Sequence, residues 1–284
     1  MIPPPPLSIW EPVLRNALAE DLAGAGDLTS NLVVPATAVA RGAIVTRQVG
    51  VVACLEISCA AFGLVDPGVV VEMLAADGDG MGAGDPLARI SGPARGVLAA
   101  ERVVLNLLAQ MSGVATATAA AVRAVAGTGA RIVGTRKTVP GLRALQKYAI
   151  RCGGGANHRF GLYDAVLIKD NHIGVAGGVT ATVAAAREGV GHLVRIEVEV
   201  DGMGQLEEAL AAGADVVMLD NMSPTKVREG VAMVDGRAVV EVSGGIDLDN
   251  VAEYAAAGAD ILSLGWLTHS APALDVGLDF EIEG

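Results

Sequence analysis

Aromatic residues, cysteine and positive charge are all scarce in this chain, and each scarcity excludes something. Two Trp, three Tyr and three Phe among 284 residues mean that a chain 52% hydrophobic must build its core from closely packed Ala, Val and Leu. The three cysteines, Cys54, Cys59 and Cys152, are odd in number and lack metal-ligand spacing, which points to reduced thiols and a cytoplasmic protein. No two of the four histidines have metal-ligand spacing either, so structural zinc is not expected. Twenty Lys and Arg against 32 Asp and Glu give a net charge of −12, which opposes non-specific binding to nucleic acid or acidic lipid. The opening Met1-Ile2-Pro3-Pro4-Pro5-Pro6 has neither a basic nor an apolar stretch of a signal peptide. Val103 to Val122 carries no charge, but its Asn106, Gln110, Ser112 and Gly113 fit two helices broken at Ser112-Gly113 better than a membrane span.

What is present changes texture along the chain. Residues 11–22 read as a short amphipathic helix, followed by the turn Gly24-Ala25-Gly26-Asp27. Between Ala40 and Ile90 come short β runs at 43–46, 49–55, 69–73 and 86–90, separated by loops containing Asp77-Gly78-Asp79-Gly80 and Gly82-Ala83-Gly84-Asp85. These loops lack the spacing and closing Glu of a calcium loop and are read as turns. Helices are predicted at about 94–111 and 114–126.

Beyond residue 130 a weak repeat appears: Ala211-Ala212-Gly213-Ala214-Asp215 and Ala256-Ala257-Gly258-Ala259-Asp260 each lead into a short apolar run. Asp164 to Lys169 is a truncated third copy. A helix, a Gly stop and a strand apolar on both faces are the units of a parallel sheet. Strands are expected at 131–135, 165–169, 194–199, 216–220, 238–243 and 261–265, favouring an open α/β barrel, with a Rossmann-like sheet as the alternative. The dinucleotide fingerprint Gly-x-Gly-x-x-Gly follows none of them.

Charge is concentrated in one stretch. From Arg95 to His172 there are eleven Lys and Arg against three acids, a surplus of eight in an otherwise acidic protein. Such a run suggests a cleft for a small polyanion. The expected strand ends carry Thr135-Arg136-Lys137, Lys169, Glu199, Asp220, Glu241/Ser243 and Gly265, and barrel chemistry gathers at those ends. Arg136, Lys137, His158, Arg159 and Lys169 would form a cationic wall, with Glu199 and Asp220 forming an acidic one. Glu197 and Glu199 share strand parity, as do Glu241 and Ser243, so each pair can face the barrel mouth. The small residues Ser243-Gly244-Gly245 and Gly265 suit backbone contact with a phosphate. A phosphorylated sugar beside an acidic small molecule fits this division.

Long motifs add a family. Thr135-Arg136-Lys137-Thr138-x-Pro140-Gly141-x-Arg143, Gly153-Gly154-Gly155-x-Asn157-His158-Arg159 and Lys169-Asp170-Asn171-His172 resemble quinolinate phosphoribosyltransferase. So do Glu197 to Val200, Leu219 to Asn221, Ser243 to Ile246, Leu267 to Ser270, and the N-terminal Glu20-Asp21, Gly26-Asp27 and Glu101-Arg102. The resemblance covers nearly the whole chain. It implies an N-terminal α/β-sandwich domain over 1–112 and an open α/β barrel over 113–284, in a homodimer whose N-terminal domain caps the partner's barrel. By the same resemblance, Arg102 reaches into the neighbouring site. Arg136, His158, Arg159 and Lys169 surround quinolinate. Lys137 lies between quinolinate and phosphoribosyl pyrophosphate (PRPP). Glu199 and Asp220 bind ribose or Mg²⁺, and Ser243, Gly244, Gly265 and His269 hold phosphates. Gly134 replaces a usual Asp, while Val242 and Trp266 replace smaller residues.

The implied reaction is Mg²⁺-dependent phosphoribosyl transfer to quinolinate with loss of CO₂, Lys137, Glu199 and Asp220 being the catalytic candidates. Rival readings are a lyase using Lys169 as Schiff-base nucleophile, a relative acting on another aromatic acid, a molybdate-associated paralogue, and a non-catalytic anion binder. His172 is expected to support Lys169 structurally, and His192 to lie on the surface.

Overall fold

The computed structural model describes residues 2–283 and divides into two compact units. In chain order the elements begin with α1 (Leu7–Leu22), α2 (Leu28–Val33), β1 (Val39–Thr46), β2 (Gly50–Val51) and α3 (Leu55–Val65). Strands β3 (Val70–Met73), β4 (Gly80–Met81) and β5 (Pro86–Pro93) then lead to the long helix α4 (Ala94–Ala124). Next come β6 (Arg131–Gly134), α5 (Arg143–Cys152), β7 (Ala156–Asn157), β8 (Val166–Ile168), α6 (Asp170–Ala176) and α7 (Val179–Gly189). Alternation continues through β9 (Ile196–Val200), α8 (Met203–Ala211), β10 (Val216–Asp220), α9 (Pro224–Val234), β11 (Val239–Ser243), α10 (Val251–Ala256) and β12 (Ile261–Leu264). The last elements are α11 (Trp266–His269) and β13 (Val276–Glu283).

The first unit comprises Met1–Ala119, Thr138–Gly154 and Leu267–Gly284. Its antiparallel sheet runs β13-β1-β5-β3, the C-terminal strand pairing with β1 from Val39↔Glu283 to Thr46↔Val276. Leu14, Ile44, Phe62, Leu87, Val104 and Leu108 are fully buried in its core. The Gly/Asp-rich loops are turns held by their own carboxylates: Asp79 accepts from Ala76 N–H at 2.8 Å and Asp85 from Gly82 N–H at 2.7 Å. Asp77 instead accepts from Leu55 N–H at 2.9 Å at the start of α3. The expected 49–55 strand is therefore mostly absent: only Gly50–Val51 is extended, and Cys54 turns left-handed (φ 62°) into α3.

The break expected at Ser112-Gly113 is also absent, because α4 runs 31 residues without interruption. Ser112 keeps its helical backbone while its hydroxyl accepts from Ala53 N–H at 3.1 Å. Gly113 lies where the Pro272 carbonyl comes so close that a Cβ would collide with it. The pair marks a close approach rather than a helix end. By length and composition α4 could cross a membrane, but 61% of its most apolar stretch is buried within the fold.

The second unit, Ala120–Lys137 and Gly155–Trp266, holds a seven-stranded sheet ordered β7-β6-β12-β11-β10-β9-β8. Every described pairing in it is parallel, and none joins β7 to β8 among the described residues, so the barrel is open. All six expected strands are present. The seventh, β7, is two residues long and too short to give a sequence pattern. Ile196, Val198, Val200, Val217, Leu219, Val242 and Leu262 are wholly buried, as strands covered on both faces require.

The repeated Asp has a structural task here. Asp215 accepts from Ile196 N–H at 2.7 Å and Asp260 from Val240 N–H at 2.8 Å, each pinning the entry of the neighbouring strand. Asp164, in the truncated copy, instead closes its own loop by accepting from Phe160 and Gly161 N–H at 2.6 and 2.9 Å.

Candidate active site

A pocket of about 500 Å³ opens at the carboxyl ends of the parallel strands. Arg136 and Lys137 line it from the turn after β6, where Thr135 Oγ1 accepts from Lys137 N–H at 3.0 Å. His158 and Arg159 follow the short β7, and the Gly134 carbonyl fixes that entry by accepting from His158 N–H at 3.3 Å. Lys169 follows β8, where the His172 ring accepts from its backbone N–H at 2.9 Å. His192 is exposed.

The opposite side is acidic. Glu199 and Asp220 line the pocket from β9 and β10, and Glu199 Oε2 is ion-paired with Lys169 Nζ. Burial, then the Glu199 charge, raises the pKa of Asp220. Burial and the neighbouring Arg136 lower that of Arg159, against the pull of Glu197.

Ser243, Gly244 and Gly245 close the pocket at the end of β11. Gly244 has φ 91° and Gly245 φ 65°, both in the left-handed region. A Cβ on Gly244 would run into the Asn221 side chain, so this turn admits only glycine. Asn221, itself left-handed at φ 53°, donates its amide N–H to Asp220 Oδ2 at 2.6 Å and its backbone N–H to the Ser243 carbonyl at 2.9 Å. Asn221, Ser263, Met218 and Leu167 also line the pocket but were not singled out as site residues from sequence. The Leu219-Asp220-Asn221 motif was the available signal for Asn221.

Three candidates lie elsewhere. Gly265 follows β12 but does not line the pocket. Arg102, exposed on α4, and His269, whose Nδ1 is 2.6 Å from Ser270 Oγ, belong to the first unit. Val242 alternates away from Glu241 and Ser243 and is fully buried, while the Trp266 indole N–H is buried without a partner among the described residues.

Position along the strand sorts the glutamates by depth. Glu199 reaches the pocket, whereas Glu197 and Glu241 line a second cavity of about 280 Å³ that shares His158 and Arg159 with it. His158 Nε2 is 2.8 Å from Glu197 Oε2 and 3.6 Å from Glu241 Oε1. Those three residues place ligand atoms within 4.8 Å of one another and could hold a metal ion, as could Glu199 with Asp220. A larger groove of about 1080 Å³ lies over the antiparallel sheet, lined by Arg41, Glu72, Arg89 and Asp279; there Arg89 is paired with Glu72 at 3.3 Å and Asp279 with Arg47.

Comparison with known proteins follows the same lines. Residues 27–112 match the N-terminal domain of quinolinate phosphoribosyl transferase, and 114–279 match its C-terminal domain. The chain is 45% identical to the Mycobacterium leprae nicotinate-nucleotide pyrophosphorylase [carboxylating], covering 94% of this chain and 95% of that protein. It is 43% identical to a probable enzyme of the same name from Bacillus subtilis, covering 94% and 92%. The solved nicotinate-nucleotide pyrophosphorylase of Francisella tularensis superposes with a TM-score of 0.94 at 36% identity, covering 99% of each chain. Matched in both domains and close to full-length relatives, this chain belongs to the quinolinate phosphoribosyltransferase family.

Proposed function

We propose that the protein transfers the phosphoribosyl group of PRPP to quinolinate, giving nicotinate mononucleotide, pyrophosphate and CO₂ for NAD biosynthesis. The observation that carries this reading is one pocket with Arg136, Lys137, Arg159 and Lys169 on one side and Glu199 and Asp220 on the other. A dianionic aromatic acid needs the first group, and a ribose ring passing through positive charge needs the second.

Arg136, Arg159 and Lys169, with His158 beside them, hold the quinolinate carboxylates and aim the ring nitrogen. That nitrogen forms a bond to ribose C1 as the C1–O bond to pyrophosphate breaks. Glu199 and Asp220 bind ribose hydroxyls and offset the oxocarbenium charge, while Lys137 balances the departing pyrophosphate. Ser243 and the Gly244 turn offer N–H groups to the ribose phosphate. The quaternised ring then accepts the electrons of the C2–carboxylate bond, CO₂ leaves, and C2 takes a proton from solvent. Glu199 and Asp220, near enough for one to raise the other's pKa, fit a hard cation and would hold Mg²⁺. When bound, Mg²⁺ supplies positive charge to the pyrophosphate oxygens. A cytoplasmic homodimer with shared sites is part of the proposal; the exposed Arg102 and the three buried free cysteines support it.

The test is release of pyrophosphate and CO₂ from PRPP with quinolinate, with nicotinate as a parallel acceptor. Equal yields of both products from quinolinate alone are expected. Turnover of nicotinate at the same rate would point to a different acceptor.

A further inference from the structure

Asn221 joins two parts of the pocket that have separate tasks in the mechanism above. Its side-chain amide donates to Asp220 Oδ2 at 2.6 Å, at the end of β10. Its backbone N–H donates to the Ser243 carbonyl at 2.9 Å, at the end of β11. The two strands run in parallel register there, Asp220 beside Ser243, so one residue ties the carboxylate meant for the ribose to the turn meant for its phosphate. An ionised carboxylate only accepts hydrogen bonds, which sets the amide: Nδ2 faces Asp220, and Oδ1 fills the space that a Cβ on Gly244 would need.

The backbone of Asn221 is also out of the ordinary. Its φ of 53° is left-handed, and among the described residues the other non-glycines with positive φ are Ala23, Cys54 and Asp235. Each of those caps a helix, at the end of α1, the start of α3 and the end of α9. Asn221 caps none; it follows a strand, in the wall of the pocket. Glycine would adopt this conformation with less strain. Asparagine tolerates it better than most residues and brings an amide that glycine lacks. A strained side-chain-bearing residue in a pocket wall points to work for that side chain.

We propose that Asn221 is a positioning residue for the reaction, holding the plane of the Asp220 carboxylate so that Oδ1 meets the ribose as positive charge develops there. The inference rests on the phosphoribosyl-transfer reading. The bond to Oδ2 fixes the rotation of the carboxylate about its Cβ–Cγ bond, and the Ser243 and Gly244 contacts fix Asn221 in turn. Without the amide, a freely turning carboxylate still reaches ribose hydroxyls in the ground state through either oxygen. Its charge is then no longer held in place for the transition state, where preorganisation counts. The loss therefore falls on kcat rather than on substrate binding.

The experiment measures kcat, both KM values and the urea midpoint for wild type, Asn221→Gly, Asn221→Asp, Asp220→Ala and the double variant Asp220→Ala/Asn221→Gly. Asn221→Gly suits the left-handed backbone and removes only the amide, so its urea midpoint should stay near that of wild type. Its kcat should fall about tenfold or more, with each KM changing less than about threefold. Asn221→Asp keeps the shape but sets an acceptor against Asp220, and should lose at least as much. With Asp220 already replaced by Ala, Asn221→Gly should cost nothing further, because no carboxylate is left to hold. Wild-type turnover in Asn221→Gly would overturn the proposal. So would an equal loss of kcat with and without the Asp220 carboxylate, or a loss that follows the urea midpoint, since either assigns Asn221 to the fold of the loop. A wild type that releases no pyrophosphate with quinolinate removes the parent reading; an active wild type with an indifferent Asn221→Gly removes this inference alone.

Discussion

Lys169 and Glu199 are ion-paired at the pocket rim, Nζ to Oε2, joining the cation after β8 to the carboxylate near the end of the neighbouring β9. Lys169 remains 43% exposed and Glu199 13%, so the lysine is the partner with freedom to turn toward a ligand. Quinolinate would compete for it, releasing Glu199 toward the ribose. Lys169→Ala should lower kcat/KM for quinolinate by about one to two decades, in keeping with about 1.5–3 kcal/mol for a charge-assisted hydrogen bond. Glu199→Gln should leave quinolinate KM nearly unchanged and depress kcat. Steady-state kinetics in both substrates separates the two, and equal effects on both substrates from either variant would contradict the division of the pocket.

Gly244 touches Asn221 so closely that no side chain fits, and its φ of 91° disfavours any other residue. Gly244→Ala should therefore shift the turn after β11 and raise PRPP KM by about tenfold or more, with quinolinate binding largely kept. Asn221→Gly in the same chain should recover part of that loss by giving the new methyl room. Binding of each substrate followed by calorimetry reads both effects, and an unchanged PRPP affinity in Gly244→Ala would remove this turn from the phosphate site.

The strand ends were legible because parallel strands buried on both faces leave apolar runs, and a polar residue at each end stands out against them. That pattern located Arg136, Lys169, Glu199, Asp220 and Ser243, all of which line one pocket. Parity also put Glu197 with Glu199 and Glu241 with Ser243 on common sides. What parity does not carry is depth: two residues along a strand is about 6–7 Å, enough to move Glu197 and Glu241 from the pocket to the cavity below. The helix break was misread because Ser112-Gly113 has the composition of a turn, whereas its cause is the approach of the Pro272 carbonyl from far along the chain. Contacts of that kind leave no local pattern.

Asp215 offers a test of the repeat. Burial opposes its charge, but the Ile196 N–H and Arg187 bonds prevail and lower its pKa. A carboxylate with a lowered folded-state pKa stabilises the protein above its unfolded pKa, and that contribution disappears as pH falls through the folded value. Asp215→Ala should cost about 1 kcal/mol near neutrality by stranding the strand-entry N–H, with the gap to wild type narrowing in acid. Urea unfolding at neutral and acid pH checks this, and a gap that widens in acid would contradict it.

The proposed shared site makes an arithmetic prediction. If Arg102 serves the partner's pocket, Arg102→Ala and Lys137→Ala chains are each inactive alone, but a dimer containing one of each has one pocket with both native residues and one with neither. Random exchange of equal amounts makes about half the dimers mixed, and half of their pockets are native, so activity should return to about a quarter of wild type. If Arg102 served its own pocket, every pocket in every dimer would carry one lesion, and the mixture would stay inactive however completely the subunits exchanged. Following exchange by mass spectrometry of isotope-labelled chains alongside pyrophosphate release makes a silent mixture decisive, since inactive but fully exchanged dimers can only mean that each chain builds its pocket alone.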